Sequence, residues 1–330
     1  MNKNSIETIS GMWNILMRGE NMSSNKKLWG RVTPASKSQV NAKTRELEEK
    51  IVDLKSEILK TENKYQLLIN QQSERLNTLL DQQREILSKL DENKRQSNEI
   101  QNQTVNIYRS SNETIWSSIF HDTIKNSEWL LNKTFSPGRW AAGYPLLYVL
   151  YRCLDESWPG DILELGLGQT TRMIGQYAKA NPNCRHYIAE HDEEWIEFFE
   201  KKNQLAKNSK IIKMDLIKGQ YLEDSEVLMY QDFEEEFKDK KFDLISIDAP
   251  FGGAANIYAR MDLLKLIPGC LKKSFIILLD DFNRKGEKNM AKKLEEILKG
   301  HNIEYSTGIY RGSKDIYILV SKDLKFFRSM

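Results

Sequence analysis

The chain has 330 residues, 40% of them hydrophobic, with 49 basic and 47 acidic side chains and a net charge of +2. That is enough for one α/β domain of ordinary size plus an extension, and so balanced a charge excludes a global field that would gather nucleic acid, so no nucleic-acid partner is expected. Cys153, Cys184 and Cys270 are widely spaced and form no CxxC, which argues against a disulfide framework or a zinc site and for buried thiols in a reducing cytosol.

No apolar run approaches the ~20 residues that span a bilayer. The start does not read as a signal peptide, because Glu7, Ser10 and Asn14 interrupt Ile6 to Met17. Ile6, Ile9, Trp13, Leu16 and Met17 fall at roughly helical spacing. Residues 1–34 therefore form a segment of their own: a short amphipathic helix covering its own protein or a frayed terminus, with a partner or a membrane surface as the alternative dock. The expected location is cytoplasmic, with a peripheral position on the inner membrane face left open.

Between Pro34 and Pro137 there is neither proline nor glycine, a gap that suits a long helix. Leu47, Ile51, Leu54 and Ile58 alternate spacings of four and three, and Tyr65 and Leu68 continue them. Ile69, Leu76, Leu80, Leu87 and Leu90 follow a seam displaced by one position. This is a heptad pattern with a register shift, and it predicts a coiled coil over 35–108. A helix this long with so little apolar surface calls for a partner, so the expectation is a homo-oligomer.

A globular domain is expected over 109–330. Aromatic residues appear from Trp116 onward, and a helical lead-in occupies 112–158, with a helix from Pro145 to Leu154. Strands follow at Ile162–Leu165, His186–Ala189, Ile211–Met214, Phe242–Ile247 and Phe275–Leu279. Helices are expected at Thr170–Ala180, Glu193–Leu205, Met261–Ile267 and Lys288–Leu298. Tyr305–Ile309 and Ile316–Val320 close the sheet as an antiparallel pair. The pattern predicts an α/β, Rossmann-like, doubly wound and mostly parallel sheet, with ligands at the strands' carboxyl ends.

The first strand runs into Glu164-Leu165-Gly166-Leu167-Gly168-Gln169-Thr170-Thr171. Glycines two apart let the backbone turn sharply against a ligand. The third glycine of a dinucleotide site is replaced by Thr171, and there is no GKS/T for a phosphate. The remaining fit is the ribose and methionine portion of S-adenosylmethionine, with Glu164, Gly166, Gly168, Gln169 and Thr170 around it. Glu190 ends the second strand and can accept both ribose hydroxyls, with His191 beside it. Asp215 ends the third strand, where it can accept from an adenine amino group. Each of these acids has an ordinary alternative as a helix cap or a solvated turn residue.

Asp248 follows the fourth strand, and Asp280 and Asp281 follow the fifth. Three carboxylates there repel unless a cation or a proton lies among them, and Mg or Mn suits such oxygen ligands. One carboxylate, Asp248 or Asp281, is expected to take an acceptor proton. The plainer alternative has Asp280 capping the next helix and Asp281 pairing with Arg284. Tyr258, Arg260 and Arg284 are expected at the substrate, since a guanidinium pairs bidentately with an acidic sugar. The only Tyr-x-x-x-Lys, Tyr310 to Lys314, falls in the turn between the last two strands rather than on a helix.

Glu164-Leu165-Gly166-Leu167-Gly168 resembles motif I of the class I S-adenosylmethionine-dependent methyltransferases. With Glu190-His191-Asp192 to Trp195, Asp248-Ala249-Pro250-Phe251-Gly252 and Asp281-Phe282-Asn283-Arg284 to Glu287, the chain resembles the polysaccharide-biosynthesis methyltransferases that include plant glucuronoxylan 4-O-methyltransferases. The resemblance covers about residues 160–320. It implies O-methylation of a glycan sugar, a uronic acid among them, in bacterial surface or capsular polysaccharide synthesis. The family's usual histidine before the Asp is Asp280 here, and Asn283 is a second departure. The acids are also similar to the metal-binding acids of catechol O-methyltransferases. Two further readings compete: a metal-dependent small-molecule O-methyltransferase, and a non-catalytic coiled-coil scaffold. An NAD oxidoreductase is disfavoured by the missing third glycine.

Overall fold

A computed structural model describes residues 34–138, 140–253, 255 and 257–330. The amphipathic segment read at Ile6 to Met17 lies outside the described residues. The chain divides into two units, residues 1–95 and 96–330. Helix α1 runs Pro34–Ile124 without a break at 108. In the first unit its described apolar side chains, among them Leu47, Ile51, Leu54, Ile58, Leu76, Leu80 and Leu87, are exposed. Its polar residues pair along the helix itself, as Lys50 with Glu46 and Lys89 with Glu85, both at 2.6 Å.

In the second unit the last turns of α1 change character. Phe120 and Ile124 are fully buried, and Trp116 Nε1 donates to the Arg311 carbonyl at 2.8 Å. The elements that follow are α2 Tyr144–Ser157, β1 Asp161–Leu165, α3 Gln169–Ala180, β2 Arg185–Glu190, α4 Glu193–Lys202, β3 Ser209–Lys213, β4 Leu216–Tyr221, β5 Asp224–Tyr230, α5 Phe233–Phe237, β6 Phe242–Ile247, β7 Leu271–Leu279, α6 Lys285–Gly300, β8 Tyr305–Tyr310 and β9 Ile316–Ser321. Among the described residues, seven strands form one sheet in the order β3-β2-β1-β6-β7-β9-β8. Pairing is parallel from β3 through β7, and β9 is antiparallel to both neighbours. No helix among the described residues is long and apolar enough to cross a membrane.

The sheet is buried on both faces, as parallel sheets are. Successive side chains point to opposite faces: Leu163, Leu165, Ile277 and Leu279 join one core, while Ile162, Ile276 and Leu278 join the other with α2 and the end of α1. This alternation puts Glu164 on the face of Ile162. There it meets His186 Nε2 at 3.0 Å, inside the protein.

The structure departs from expectation in the helix at Met261–Ile267 and in the segment between β3 and β6, where the sequence reading had no elements and the structure has β4, β5 and α5. The helix expected at Met261–Ile267 is a single 3-10 turn, Asp262–Lys265, because Pro268 follows closely and disfavours helical backbone before it. The β4–β5 hairpin carries no recognisable turn residues: its two-residue loop is Leu222-Glu223, with Leu222 at φ +50°, where glycine or asparagine is the usual choice.

Asp262 Oδ1 accepts the Tyr230 N–H at 2.6 Å, while Oδ2 is buried without a partner. Burial pushes this carboxyl up from 3.8 to about 7. Between those values the unfolded chain has lost the proton that the folded chain keeps. Stability therefore falls as pH rises through this window and levels off above it. Asp262→Asn keeps the acceptor and removes the acid. Its folding free energy, read by urea denaturation at a series of pH values, should exceed that of the unchanged protein by a margin that grows up to about pH 7, reaching about 4 kcal/mol. A margin independent of pH would show that Asp262 is ionised in the fold.

Candidate active site

The strand order reverses between β1 and β6, where ligands bind in open α/β sheets. A cavity of about 370 Å³ opens there, lined by the Gly166–Thr170 turn, Glu190, His191 and Trp195 on one side and by Asp248, Phe251, Asp281, Arg284 and Lys314 on the other. Its size lies in the range of small-molecule sites.

Gly166 begins the turn at φ +102°, and a Cβ there would lie 3.0 Å from Ala249 Cβ. Both facts require glycine. At Gly168 a Cβ would meet nothing within 4 Å; the space belongs to the cavity, which Gly168 lines. Thr171 Oγ1 accepts the Gly168 N–H at 2.8 Å and closes the turn onto α3. Thr171 thus fills the place of a third glycine with a structural bond. Gln169 lines the cavity, and its Oε1 also accepts from Ser136 N and Arg172 Nη1.

Glu190 Oε1 accepts N–H groups of His191 and Asp192 at 2.7 and 3.0 Å and faces His191 Nδ1 at 2.7 Å. Among the described residues Oε2 takes only the Leu167 N–H, at 2.9 Å. A carboxylate oxygen has room for two donors, so Oε2 retains capacity for a ligand hydroxyl. Burial raises the Glu190 carboxyl, but the His191 ring and the backbone N–H groups outweigh it, and the net shift is downward. The same bond to Glu190 raises His191. Trp195 Nε1 donates to the Leu167 carbonyl at 2.7 Å, which fixes the indole as a cavity wall. Asp192 caps α4 by accepting the Trp195 N–H. The glycine turn, an acceptor with spare capacity and a flat aromatic wall fit the ribose, amino-acid tail and adenine of S-adenosylmethionine.

The opposite wall is ionic. Arg260 is 2% exposed. Its Nη2 donates to Asp248 Oδ1 at 3.2 Å and Asp281 Oδ2 at 2.8 Å, its Nη1 to the Asp280 carbonyl at 3.0 Å, and its Nε to the Pro250 carbonyl at 3.2 Å. Arg284 Nη1 lies 2.7 Å from Asp281 Oδ2. Lys314 Nζ lies 3.5 Å from Asp280 Oδ2 and 3.9 Å from Asp281 Oδ1, and donates to the Ala141 carbonyl at 2.9 Å. Arg260 and Asp281 both have left-handed backbone, φ +57° and +59°. Such conformations cost on the order of 1–3 kcal/mol and cluster at functional sites. Burial and the neighbouring Asp280 hold the Asp248 carboxyl well above its usual range, although Arg260 and Lys314 pull it down.

Several expected site residues stand elsewhere. Glu164 and Asp280 are fully buried and do not line the cavity; Glu164 serves His186, and Asp280 Oδ1 accepts the Asp281 N–H at 2.8 Å. Asp280 does not cap the next helix, whose N-cap is Arg284. Asp215 is exposed beside Lys213 and Gln231 in a separate hollow. Tyr258 points to the β4–β5 hairpin, its hydroxyl 3.1 Å from Glu223 Oε1. The parity of β1, the end of β3 at Lys213 and the turn before Arg260 impose these directions. The Tyr310 hydroxyl donates to the Phe327 carbonyl at 2.6 Å, away from Lys314, so the two do not act as a pair.

Sequence reasoning missed Trp140, Phe251 and Lys314 as cavity residues. Trp140 and Phe251 stand edge to face at 5.4 Å at the cavity, and the Arg284 guanidinium lies 5.9 Å from the Phe251 ring. Phe251 follows Asp248 closely, which was a readable signal; Trp140 and Lys314 had none.

The order β3-β2-β1-β6-β7-β9-β8, which is 3-2-1-4-5-7-6 when the seven strands of this sheet alone are counted, with β9 antiparallel, makes this the Rossmann-like methyltransferase fold. No family model and no curated protein matches the chain. Solved structures similar to it include a candidate caffeoyl-CoA O-methyltransferase from Staphylococcus aureus, at 18% identity and a TM-score of 0.41, covering 64% of this chain and all (100%) of that one. An O-methyltransferase from Bacillus cereus in complex with SAH shows 15% identity and a TM-score of 0.37, covering 64% and 91%. An SAH-bound methyltransferase from Podospora anserina shows 17% and 0.37, covering 64% and 87%. The fold assignment rests on the strand order itself.

Proposed function

We propose that this chain is an S-adenosylmethionine-dependent O-methyltransferase acting on a sugar hydroxyl, a uronic acid by preference, of a bacterial surface or capsular polysaccharide. The observation that carries the reading is one cavity with the glycine turn and Glu190 at one end and Asp248 at the other. When bound, S-adenosylmethionine supplies an electrophilic methyl group on its sulfonium. Glu190 holds the ribose through Oε2, and the Gly166–Gly168 backbone leaves room for the tail. Asp248, with its raised carboxyl, accepts the proton of the acceptor hydroxyl. Positioning the oxygen in line with the methyl is the larger share of the work. Arg284 and Lys314 favour an acceptor that carries a carboxylate. Trp140 and Phe251 offer ring faces to a sugar.

The same aromatic pair also suits a planar phenol, which favours the small-molecule reading instead. Calorimetry with S-adenosylmethionine and with NAD, followed by labelled-methyl transfer to methyl glucuronoside and to catechol, separates the readings. Transfer to the uronoside supports the proposal; transfer to catechol alone replaces its acceptor; absence of S-adenosylmethionine binding leaves the scaffold reading.

The exposed apolar side chains of α1 support homo-oligomerisation through a coiled coil, which would also set the enzyme within a cytoplasmic or membrane-peripheral synthesis complex. Leu54→Glu with Leu76→Glu should lower the mass measured by light scattering to that of one chain, since charges at seam positions are incompatible with the packing. An unchanged mass would place the self-association elsewhere or make the chain a monomer throughout.

A further inference from the structure

We propose that the acid cluster at the ends of β6 and β7 is filled by the chain's own cations, Arg260 and Lys314, in the place where the resemblance to catechol O-methyltransferases puts a divalent ion. Asp248, Asp280 and Asp281 bring carboxylate oxygens within 4.8 Å of one another, a spacing that can hold a metal. A magnesium or manganese ion needs oxygens at about 2.0–2.1 Å in octahedral array. Here Asp248 Oδ1 and Asp281 Oδ2 are joined by one nitrogen, Arg260 Nη2, at 3.2 and 2.8 Å. An ion bridging these two oxygens would occupy the position of that nitrogen. Arg260 has no other place to go: it is nearly fully buried, and its remaining donors are taken by the carbonyls of Pro250, Ile247 and Asp280.

The charges also come within one of balance without an ion. Around the cluster stand the carboxylates of Asp248, Asp280, Asp281 and Glu287 and the cations Arg260, Arg284 and Lys314. A divalent ion would turn a slight negative excess into a positive one at a buried place. The residues present therefore do not fit a metal.

Lys314 is the more exposed member of the pair. Both line the cavity, but the Lys314 side chain is 13% exposed against 2% for Arg260, while its Nζ stays close to Asp280 and Asp281. The turn that carries it is tied to α1 through Glu113, whose Oε2 accepts both the N–H and the hydroxyl of Ser313 at 3.1 and 2.9 Å. Lys314 thus presents a fixed positive charge where negative charge grows on the acceptor oxygen as its proton passes to Asp248, a role that rests on the methyl-transfer reading above. Donors of this kind are worth about 10²–10³ in rate.

The test is a manganese titration of the full chain, with free Mn²⁺ read by electron paramagnetic resonance and SAH binding measured on the same samples. The unchanged protein should show no saturable site at submillimolar Mn²⁺, and Arg260→Gln should gain one. If Arg260→Gln does not fold, the unchanged protein measured beside Asp281→Asn decides the question. A saturable site in the unchanged protein that disappears in Asp281→Asn would overturn the proposal. Methyl transfer should be indifferent to EDTA, and Lys314→Met should lower kcat with SAH affinity intact, while Lys314→Arg retains part of it. A fully active Lys314→Met would remove Lys314 from the chemistry. Failure to bind SAH sinks the methyltransferase reading and leaves the manganese result to decide the cation question by itself.

Discussion

Glu190→Ala should weaken S-adenosylmethionine binding by about one to two orders of magnitude, measured by calorimetry. A hydrogen bond to a charged group contributes about 1.5–3 kcal/mol, and Oε2 has room for one ribose hydroxyl. The alanine also strips the acceptor from the N–H groups of Leu167, His191 and Asp192, which loosens the turn beside the ligand. Glu190→Gln separates the two effects. It preserves the shape and loses the charge, so its affinity should fall less than that of the alanine variant. Binding as tight as that of the unchanged protein in Glu190→Ala would move the cofactor site away from this cavity.

Asp248→Asn should leave S-adenosylmethionine affinity nearly unchanged and slow methyl transfer by about 10²–10⁴, the range of a general base. The pH profile carries the sharper signature. A base works only after it has lost its own proton, and burial with Asp280 nearby holds the Asp248 carboxyl well above its usual range. Turnover should therefore climb as pH rises through that raised value and level off above it. The asparagine variant, having nothing to titrate there, should lose the climbing limb along with the rate. A variant that kept both rate and limb would assign the proton to another group, with Asp281 next in position.

The half of the cavity around the glycine turn was legible in the sequence because its signals are local. Gly166 to Thr171 and Glu190 lie at the ends of adjacent strands, so apolar runs and the residues just after them suffice to bring them together. Glu164 belonged to the same string, yet its direction follows from strand parity, which turns it toward His186. The half around the acid cluster was less legible. Asp248 and Asp281 were found by the same end-of-strand rule, but the role of Arg260 depends on a left-handed backbone at a non-glycine residue. No local pattern announces that conformation.

The sequence by itself determined the long proline- and glycine-free helix, the mostly parallel order of the sheet and the place of the ligand cavity. These follow from periodicity and turn chemistry, which act over a few residues. Tertiary structure alone decided how the cluster's charge is balanced. Lys314 reaches Asp280 and Asp281 because β9 runs antiparallel beside β7, and because Glu113 of α1 holds the preceding turn across 200 residues of chain. Contacts so distant along the chain are fixed by packing and by the pairing of buried charge, and neither leaves a periodic trace in the order of the residues.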